Sequence, residues 1–401
     1  MSKGKQSKFW YGITKLAANI VSAFIFRRRF IRNELKGKKG PLLIIANHQA
    51  SLDFVNLMKA TRRPMTFVVS NSFYNTLPVK GVMDKIGVIP KQQFQTELPE
   101  LKRMKRAIDD GKILVIYPTG LMSEDGLSTP IPHGTYKFLK WIKADIYVAR
   151  TYGMYFSMPK WTKGMRRGRT YLDVYKLFSK EEAQVADIDI LKEKTEEALL
   201  FDAYREQEKF LVKYKKNDDI EGLENVLYMC PHCKKEFTVK VKNKSTIYCE
   251  ECGFEQTADK YGFFHNTKGV GDELRYASDW SKLVYRELKE KLLEDRDYCL
   301  SSETEFQMID YENKKYVSVG NGRISLSRGS FSLVGKINGE EVQISVPTIS
   351  FASLPFKPGK HIEIQYGREI YRCVLRDGHL AMKFINMVKI YYDINTYVEK
   401  A

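Results

Sequence analysis

Between residues 40 and about 178, short apolar runs alternate with stretches whose apolar positions recur at helical spacing. Leu42–Ala46 is apolar at every position and predicts a strand buried on both faces. Met65–Ser70, Ile113–Tyr117, Ile146–Arg150 and Tyr171–Tyr175 predict four more strands. Leu98, Leu101, Met104, Ala107 and Ile108 share one helix face, and His133 to Lys143 predicts another helix. This alternation predicts an α/β layered fold. Residues 179–226 are charged and helix-favouring, with Leu191, Ala198, Leu199 and Tyr204 as core contacts. They predict closing helices and a connector ending at Asn217-Asp218-Asp219.

The texture then changes. Residues 227–262 hold two cysteine pairs, and 269–297 predicts a helix with Leu274, Leu283, Val284, Leu288 and Leu292 on one side. From about 303, short alternating runs appear at Tyr316–Val319, Arg323–Ser327, Ser330–Val334, Val342–Val346, His361–Tyr366 and Ile370–Leu375. Turn residues such as Asn321-Gly322, Asn338-Gly339 and Lys357-Pro358-Gly359 separate them. An amphipathic helix from about His379 to Glu399 closes the chain. Several strands followed by one helix resemble the pleckstrin-homology or GRAM type of small barrel.

Charge sharpens the reading of the first 40 residues. The net charge is +17 over 401 residues, and residues 1–40 hold eleven Lys or Arg against one acid, Glu34. Leu16 to Phe26 is largely apolar, with Phe9-Trp10-Tyr11 before it and Arg27-Arg28-Arg29 after it. That run is shorter than the roughly 20 residues a spanning helix needs. The pattern predicts a helix lying on an anionic membrane surface, and hence a peripheral protein on the cytoplasmic face of a membrane. A helix packed on the protein and a true span are the alternatives. A signal peptide would carry a small-residue cleavage site where the three arginines stand. Pro159-Lys160-Trp161, with Lys163, Arg166, Arg167 and Arg169, predicts either a solvated loop or a second headgroup-facing patch. Nucleic acid is not the expected partner, because the basic excess concentrates beside the apolar run and this patch.

Chemistry concentrates at the end of the first strand. His48 falls just past Ala46, and Asp53 opens a short helical pattern with Leu52, Val55, Leu57 and Met58. On one continuous helix five residues turn the chain by roughly 500°, so the two side chains would point apart. Across a strand-to-helix turn they can meet. A carboxylate on one imidazole nitrogen fixes the tautomer and leaves the other nitrogen as a base.

Asn47-His48-Gln49-Ala50-Ser51-Leu52-Asp53 matches the Asn-His-x4-Asp block of the glycerolipid acyltransferase family, and three later segments resemble that family's other blocks in order. These are Gly87-Val88-Ile89-Pro90-Lys91, Tyr117-Pro118-Thr119-Gly120-Leu121-Met122-Ser123, and the apolar strand Ala144 to Ala149. The resemblance covers about residues 10–210. It implies an acyltransferase domain over 40–226, with His48 as general base oriented by Asp53. It further implies acyl-CoA or acyl carrier protein as donor, a lysophospholipid as acceptor (most simply 1-acylglycerol-3-phosphate), and Asn47, Lys91, Gly120 and Ser123 at the substrate. Gly120 would supply a backbone donor to the oxyanion. The third block departs from the family: Thr119 stands for its glutamate and Met122 for its phosphate-binding arginine. Lys91, Lys137 or the cluster from Lys160 to Arg169 could substitute for that arginine. A charge-assisted phosphate contact is worth about 1.5–3 kcal/mol. The departure therefore keeps a second reading open, a catalytically weak or inactive lipid-binding member of the family.

Cys230-Pro231-His232-Cys233 and Cys249-Glu250-Glu251-Cys252 form two Cys-x-x-Cys knuckles. Their spacing predicts a four-thiolate structural zinc site, with hairpin strands at Phe237–Val241 and Ser245–Tyr248. A closed site of this kind serves folding. The predicted domains are thus a basic membrane-associating segment (1–39), the acyltransferase domain (40–226), a zinc ribbon (227–262), a helical connector (263–302) and a β-rich domain with a C-terminal helix (303–401).

Overall fold

A strand that is apolar at every position needs cover on both faces. Leu42, Ile44 and Ala46 enter one core cluster, with Val55, Leu57, Phe67 and Val115. Leu43 and Ile45 enter a second, with Met104, Ile108, Leu139 and Leu191. The computed structural model describes residues 6–76, 80–92, 98–313, 315–350, 352–367 and 369–398. Lys3 and Lys5 of the basic segment, and Glu399 at the predicted end of the last helix, lie outside them.

The chain divides into two compact units, Met1–Pro159 with Lys163–Lys216 and Asn217–Ala401 with Lys160–Thr162. In order, the first carries α1 (Lys8–Phe24), β1 (Arg29–Asn33), β2 (Leu42–Ala46), α2 (Asp53–Leu57), β3 (Met65–Ser70), α3 (Asn71–Thr76), α4 (Lys80–Ile86), β4 (Ile89–Lys91), α5 (Leu98–Asp109) and β5 (Ile113–Ile116). It continues with α6 (Gly134–Trp141), β6 (Asp145–Tyr152), α7 (Met154–Ser157), β7 (Tyr171–Phe178), α8 (Lys180–Val185), α9 (Ile188–Leu199) and α10 (Ala203–Phe210). The strands form one mixed sheet in the order β1-β7-β6-β2-β5-β3-β4. β6 and β7 are antiparallel and the other neighbours are parallel. β2 is therefore central, and its carboxyl end opens where ligands bind in open α/β sheets.

The N-terminal segment is part of this unit rather than a separate one. Arg29–Asn33 forms the edge strand β1, parallel to β7. Arg32 pairs with Asp173 at 2.9 Å and lies over the Tyr175 ring. An edge strand exposed along most of its length can be rich in arginine, so its pattern reads as charge rather than as a strand. α1 buries Tyr11, Ala18 and Ser22. Ser22 donates to Asn56, which donates in turn to Thr170 on the way into β7. Its outer face is also apolar: Phe9, Ile13, Leu16, Ile20 and Phe24 are all exposed, Leu16 by 63% and Phe24 by 66%. Among the described residues no helix is long and apolar enough to cross a membrane.

The second unit begins at Asn217, within the range expected to close the first. It carries β8 (Val239–Lys242), β9 (Thr246–Cys249), β10 (Glu255–Ala258), β11 (Phe264–Asn266), α11 (Ala277–Glu294), β12 (Leu300–Asp310), β13 (Lys315–Leu326), β14 (Ser330–Ile337), β15 (Glu340–Pro347), β16 (Phe356–Lys357), β17 (His361–Tyr366), β18 (Glu369–Leu375) and α12 (Leu380–Val398). The cysteine module is a four-stranded antiparallel sheet that runs past residue 262 to β11. α11 starts eight residues later than its pattern predicts. β12 begins inside the expected connector. Its inward positions are Leu300, Ser302, Thr304 and Phe306, and the two hydroxyl residues blur the alternation. β12 to β18 form one seven-stranded antiparallel sheet, in the order β15-β14-β13-β12-β18-β17-β16. Phe384 of α12 meets Phe331 of that sheet. Lys383 of α12 pairs with Glu236 beside the cysteine module at 2.6 Å, and Trp280 of α11 donates to the Met229 carbonyl at 2.8 Å.

The Lys160–Arg169 patch is only partly a surface. Trp161 and Arg166 are buried, so a tryptophan at the headgroup level is ruled out there. Lys160 lies over the Phe356 ring.

Candidate active site

β2 ends at Ala46 and α2 starts at Asp53, so the turn between them brings His48 and Asp53 together. His48 Nδ1 lies 2.9 Å from Asp53 Oδ2. The same oxygen accepts the Gln49 and Ala50 backbone N–H groups at 2.8 and 3.0 Å. Three contacts on one buried oxygen fix the angle of the carboxylate to the ring. With Nδ1 engaged as donor, Nε2 is left to act as a base. The His48 side chain is 19% exposed while that of Asp53 is 1% exposed, so the imidazole can be reached from solvent and the carboxylate cannot.

The flanking residues hold this turn. Both ends of the Asn47 amide are used in bonds to the Thr151 backbone, each 2.8 Å long. That places Asn47 as a brace between β2 and β6 rather than as a substrate contact. Gln49 Oε1 accepts the Met154 and Tyr155 N–H groups at the start of α7, and its Nε2 donates to Glu206. Glu206 is buried against Arg150, 2.8 Å away. Burial lifts the Glu206 carboxyl to about 7, with Arg150 and Gln49 only partly opposing it. The Tyr117 ring, one residue past β5, lies tilted against His48, with ring centroids 4.5 Å apart. Burial raises its hydroxyl well above the ordinary range and the Asp53 charge adds to this, so it stays protonated.

The third block folds onto itself. The Ser123 N–H donates to the His48 carbonyl at 3.3 Å, and its Oγ accepts from Gly126 at 2.9 Å. Thr119 Oγ1 donates to Leu121 O at 3.1 Å. The Gly120 N–H donates to the Tyr117 carbonyl at 3.0 Å, closing a turn, so it is not aimed at an oxyanion. Lys91 ends β4, three strands from β2, and its Nζ donates to the Gln92 carbonyl. Burial lowers its pKa, with Glu100 opposing. Three strand spacings put its backbone roughly 14 Å from β2. Of the six residues expected at this site, the structure brings His48, Asp53, Asn47 and Ser123 together. Gln49 and Tyr117 join them and were not read as functional. Both stand inside the matching blocks, so position alone could have flagged them. Glu206 and Arg150 had no local signal.

A family model described as acyltransferase matches residues 27–155. Residues 27–155 are an acyltransferase domain. That range contains the whole His48–Asp53 turn, Tyr117 and Ser123. No curated protein sequence matches the chain. Among solved structures, the chain is similar to the 1-acyl-sn-glycerophosphate acyltransferase PlsC of Thermotoga maritima, at 14% identity and a TM-score of 0.40, over 48% of this chain and 76% of that one. A second likeness is to the Ran-binding domain of Nup2 from Ashbya gossypii, at 14% identity and a TM-score of 0.20, over 25% of this chain and 97% of that one.

Outside the acyltransferase domain, Cys230, Cys233, Cys249 and Cys252 converge, with all four sulfurs within 4.8 Å of one another. Cys230 and Cys252 lie 3.6 Å apart, and Cys233 and Cys249 3.8 Å. Four thiolates at about 2.3 Å around a tetrahedral ion stand about 3.8 Å apart. The residues therefore fit a bound metal ion. Thr238 Oγ1, 3.3 Å from Cys249 Sγ, adds a contact to one ligand.

Proposed function

We propose that the protein transfers an acyl chain from an acyl-CoA or acyl carrier protein thioester to the free hydroxyl of a lysophospholipid, most simply 1-acylglycerol-3-phosphate. The observation that carries this is the buried Asp53 carboxylate bonded to His48 Nδ1, inside a domain of acyltransferase type. His48 Nε2 takes the hydroxyl proton. The resulting oxygen attacks the thioester carbonyl, the new ester bond forms, and the carbon–sulfur bond breaks. The departing thiolate takes the proton back from His48. Asp53 stabilises the imidazolium between the two transfers.

The outer face of α1 supports membrane association. Its five exposed apolar side chains form one stripe, with Lys8 at one end and Arg27 and Arg29 at the other. This suits a helix half-sunk in the headgroup region of an anionic membrane. The peripheral, cytoplasmic-face location rests on that helix. We read the ion of the four-cysteine site as structural zinc, since a closed thiolate shell leaves no open position for chemistry. The seven-stranded sheet with α12 fits the pleckstrin-homology or GRAM type by element order. The alternative, a member of the family that binds lipid without turnover, is favoured by Met122 in place of the expected arginine.

The test is direct. Purified protein is given labelled acyl-CoA or acyl carrier protein with a panel of lysophospholipids in vesicles. Labelled diacyl product with at least one acceptor is expected. Folded, vesicle-bound protein that makes none would leave the lipid-binding alternative.

A further inference from the structure

A groove of about 640 Å³ opens on the first unit between the end of α1, the start of β7 and the segment after α10. Arg27, Arg167, Arg169, Lys213 and Lys215 line it, above a floor of stacked Tyr171 and Phe210. None of these residues belongs to the His48 site.

The cations are set there by the backbone. Residues 166–170 alternate, with Arg167 and Arg169 exposed between Arg166, Gly168 and Thr170, which are buried. Residues 212–215 alternate in the same way, with Lys213 and Lys215 exposed and Val212 and Tyr214 buried. The two segments are tied together: Lys215 N–H donates to the Arg167 carbonyl and Tyr214 Oη to the Arg169 carbonyl, both at 2.8 Å. Tyr214 fits only because Gly153 and Gly168 have no side chains, since a Cβ on either would run into its ring or hydroxyl. Arg27 and Leu211, both lining the groove, hold φ of +44° and +45°. Among the described residues Arg27, Arg167, Arg169 and Lys215 form no ion pair. Like charges gathered around one cavity repel unless an anion sits between them.

We propose that this groove binds the phosphate headgroup of an anionic membrane lipid. The lipid source rests on the membrane reading of α1: Arg27 stands three residues beyond Phe24, where the exposed apolar stripe ends. The bound group is not the phosphate of the acceptor being acylated. Tyr171, in the groove, pairs with Tyr152, three residues past Ala149, which pairs with Ala46 of β2. Two strand spacings sideways and three residues along put the groove roughly 14 Å from the end of β2. A glycerol phosphate carries its phosphorus only a few bonds from its hydroxyl.

The experiment floats the full-length protein with vesicles of phosphatidylcholine alone and of phosphatidylcholine containing phosphatidate. It compares wild type, R167A/R169A/K215A, and a charge-matched control, K36A/K38A/K39A, at the opposite end of the sheet. With each basic residue contributing its usual share, the groove variant binds the phosphatidate vesicles about a hundredfold more weakly than wild type, and the control loses less than about tenfold. Its turnover of a water-soluble short-chain lysophosphatidate stays as in wild type, and so does its thermal midpoint. Equal weakening by both variants would overturn the proposal in favour of diffuse charge. Loss of soluble turnover in the groove variant would overturn it in favour of an acceptor site. Calorimetric binding of inorganic phosphate by wild type, as tight as its vesicle binding and lost in the groove variant, would overturn the lipid assignment. Equal wild-type binding to both vesicle types would overturn the groove proposal alone, whereas binding to neither would remove the membrane reading beneath it.

Discussion

Gln49 donates from Nε2 to Glu206 Oε2 at 3.3 Å, across 157 residues of chain. The backbone N–H of the same glutamine donates to Asp53. The His48 turn is thereby tied to α10, and through Glu206 to Arg150 on β6. This tie fixes the turn that carries His48 and Asp53 from the far side.

Glu206 makes stability depend on pH. Its carboxyl is raised from an ordinary 4.5 to about 7, first by burial and against the pull of Arg150. The folded chain then keeps a proton that the unfolded chain loses between those values. That contribution is fully present below pH 4.5 and is lost as pH rises through about 7. The E206Q variant cannot titrate there. Its stability relative to wild type should improve from pH 5 to pH 8, by an amount on the order of 3 kcal/mol at most. Urea midpoints of both proteins at the two pH values check this. A difference that stays constant or moves the other way would contradict it.

Asp53→Asn keeps the size of the side chain but removes its charge from the His48, Gln49 and Ala50 donors. Turnover should fall on the order of 10³-fold while the thermal midpoint moves by only a few degrees. Steady-state kinetics with a melting curve separates loss of orientation from loss of fold.

The two faces of α1 should respond differently. Leu16→Glu with Ile20→Glu places charge on exposed positions, so folding should persist while vesicle binding weakens, each lost apolar anchor being worth about 1.5–3 kcal/mol. Ala18→Glu buries a charge against the core and should lower stability instead. Flotation and thermal melting read the two outcomes.

One zinc ion per chain is expected by elemental analysis. Chelation, or Cys230→Ser, should lower the melting temperature of the second unit and leave acyl transfer to a soluble acceptor largely intact. Metal-free protein of unchanged stability would contradict the structural reading of the ribbon.

The features legible in the sequence were those with short-range signatures. Leu42–Ala46 is apolar throughout because it is covered on both faces, and His48 and Asp53 are close enough in sequence for one turn to join them. The cysteines carry their spacing with them. What escaped depends on tertiary neighbours. β1 reads as charge because an edge strand leaves its arginines in water. β12 hides behind inward Ser302 and Thr304. Lys91 matches a motif position, yet the strand order puts it three strands away, and Gly120 spends its N–H on its own turn. Trp161 looks like an interfacial anchor and is buried. Glu206 could be placed beside Gln49 only once α10 was docked.

The most direct test of the account compares wild type with His48→Ala in acyl transfer from labelled acyl-CoA or acyl carrier protein to lysophosphatidate. Vesicle binding and melting temperature are measured on the same samples. The account predicts labelled phosphatidate from wild type and at least about a hundredfold less from the variant, with binding and stability unchanged. Equal turnover by the two proteins would contradict the assignment of His48 as the base.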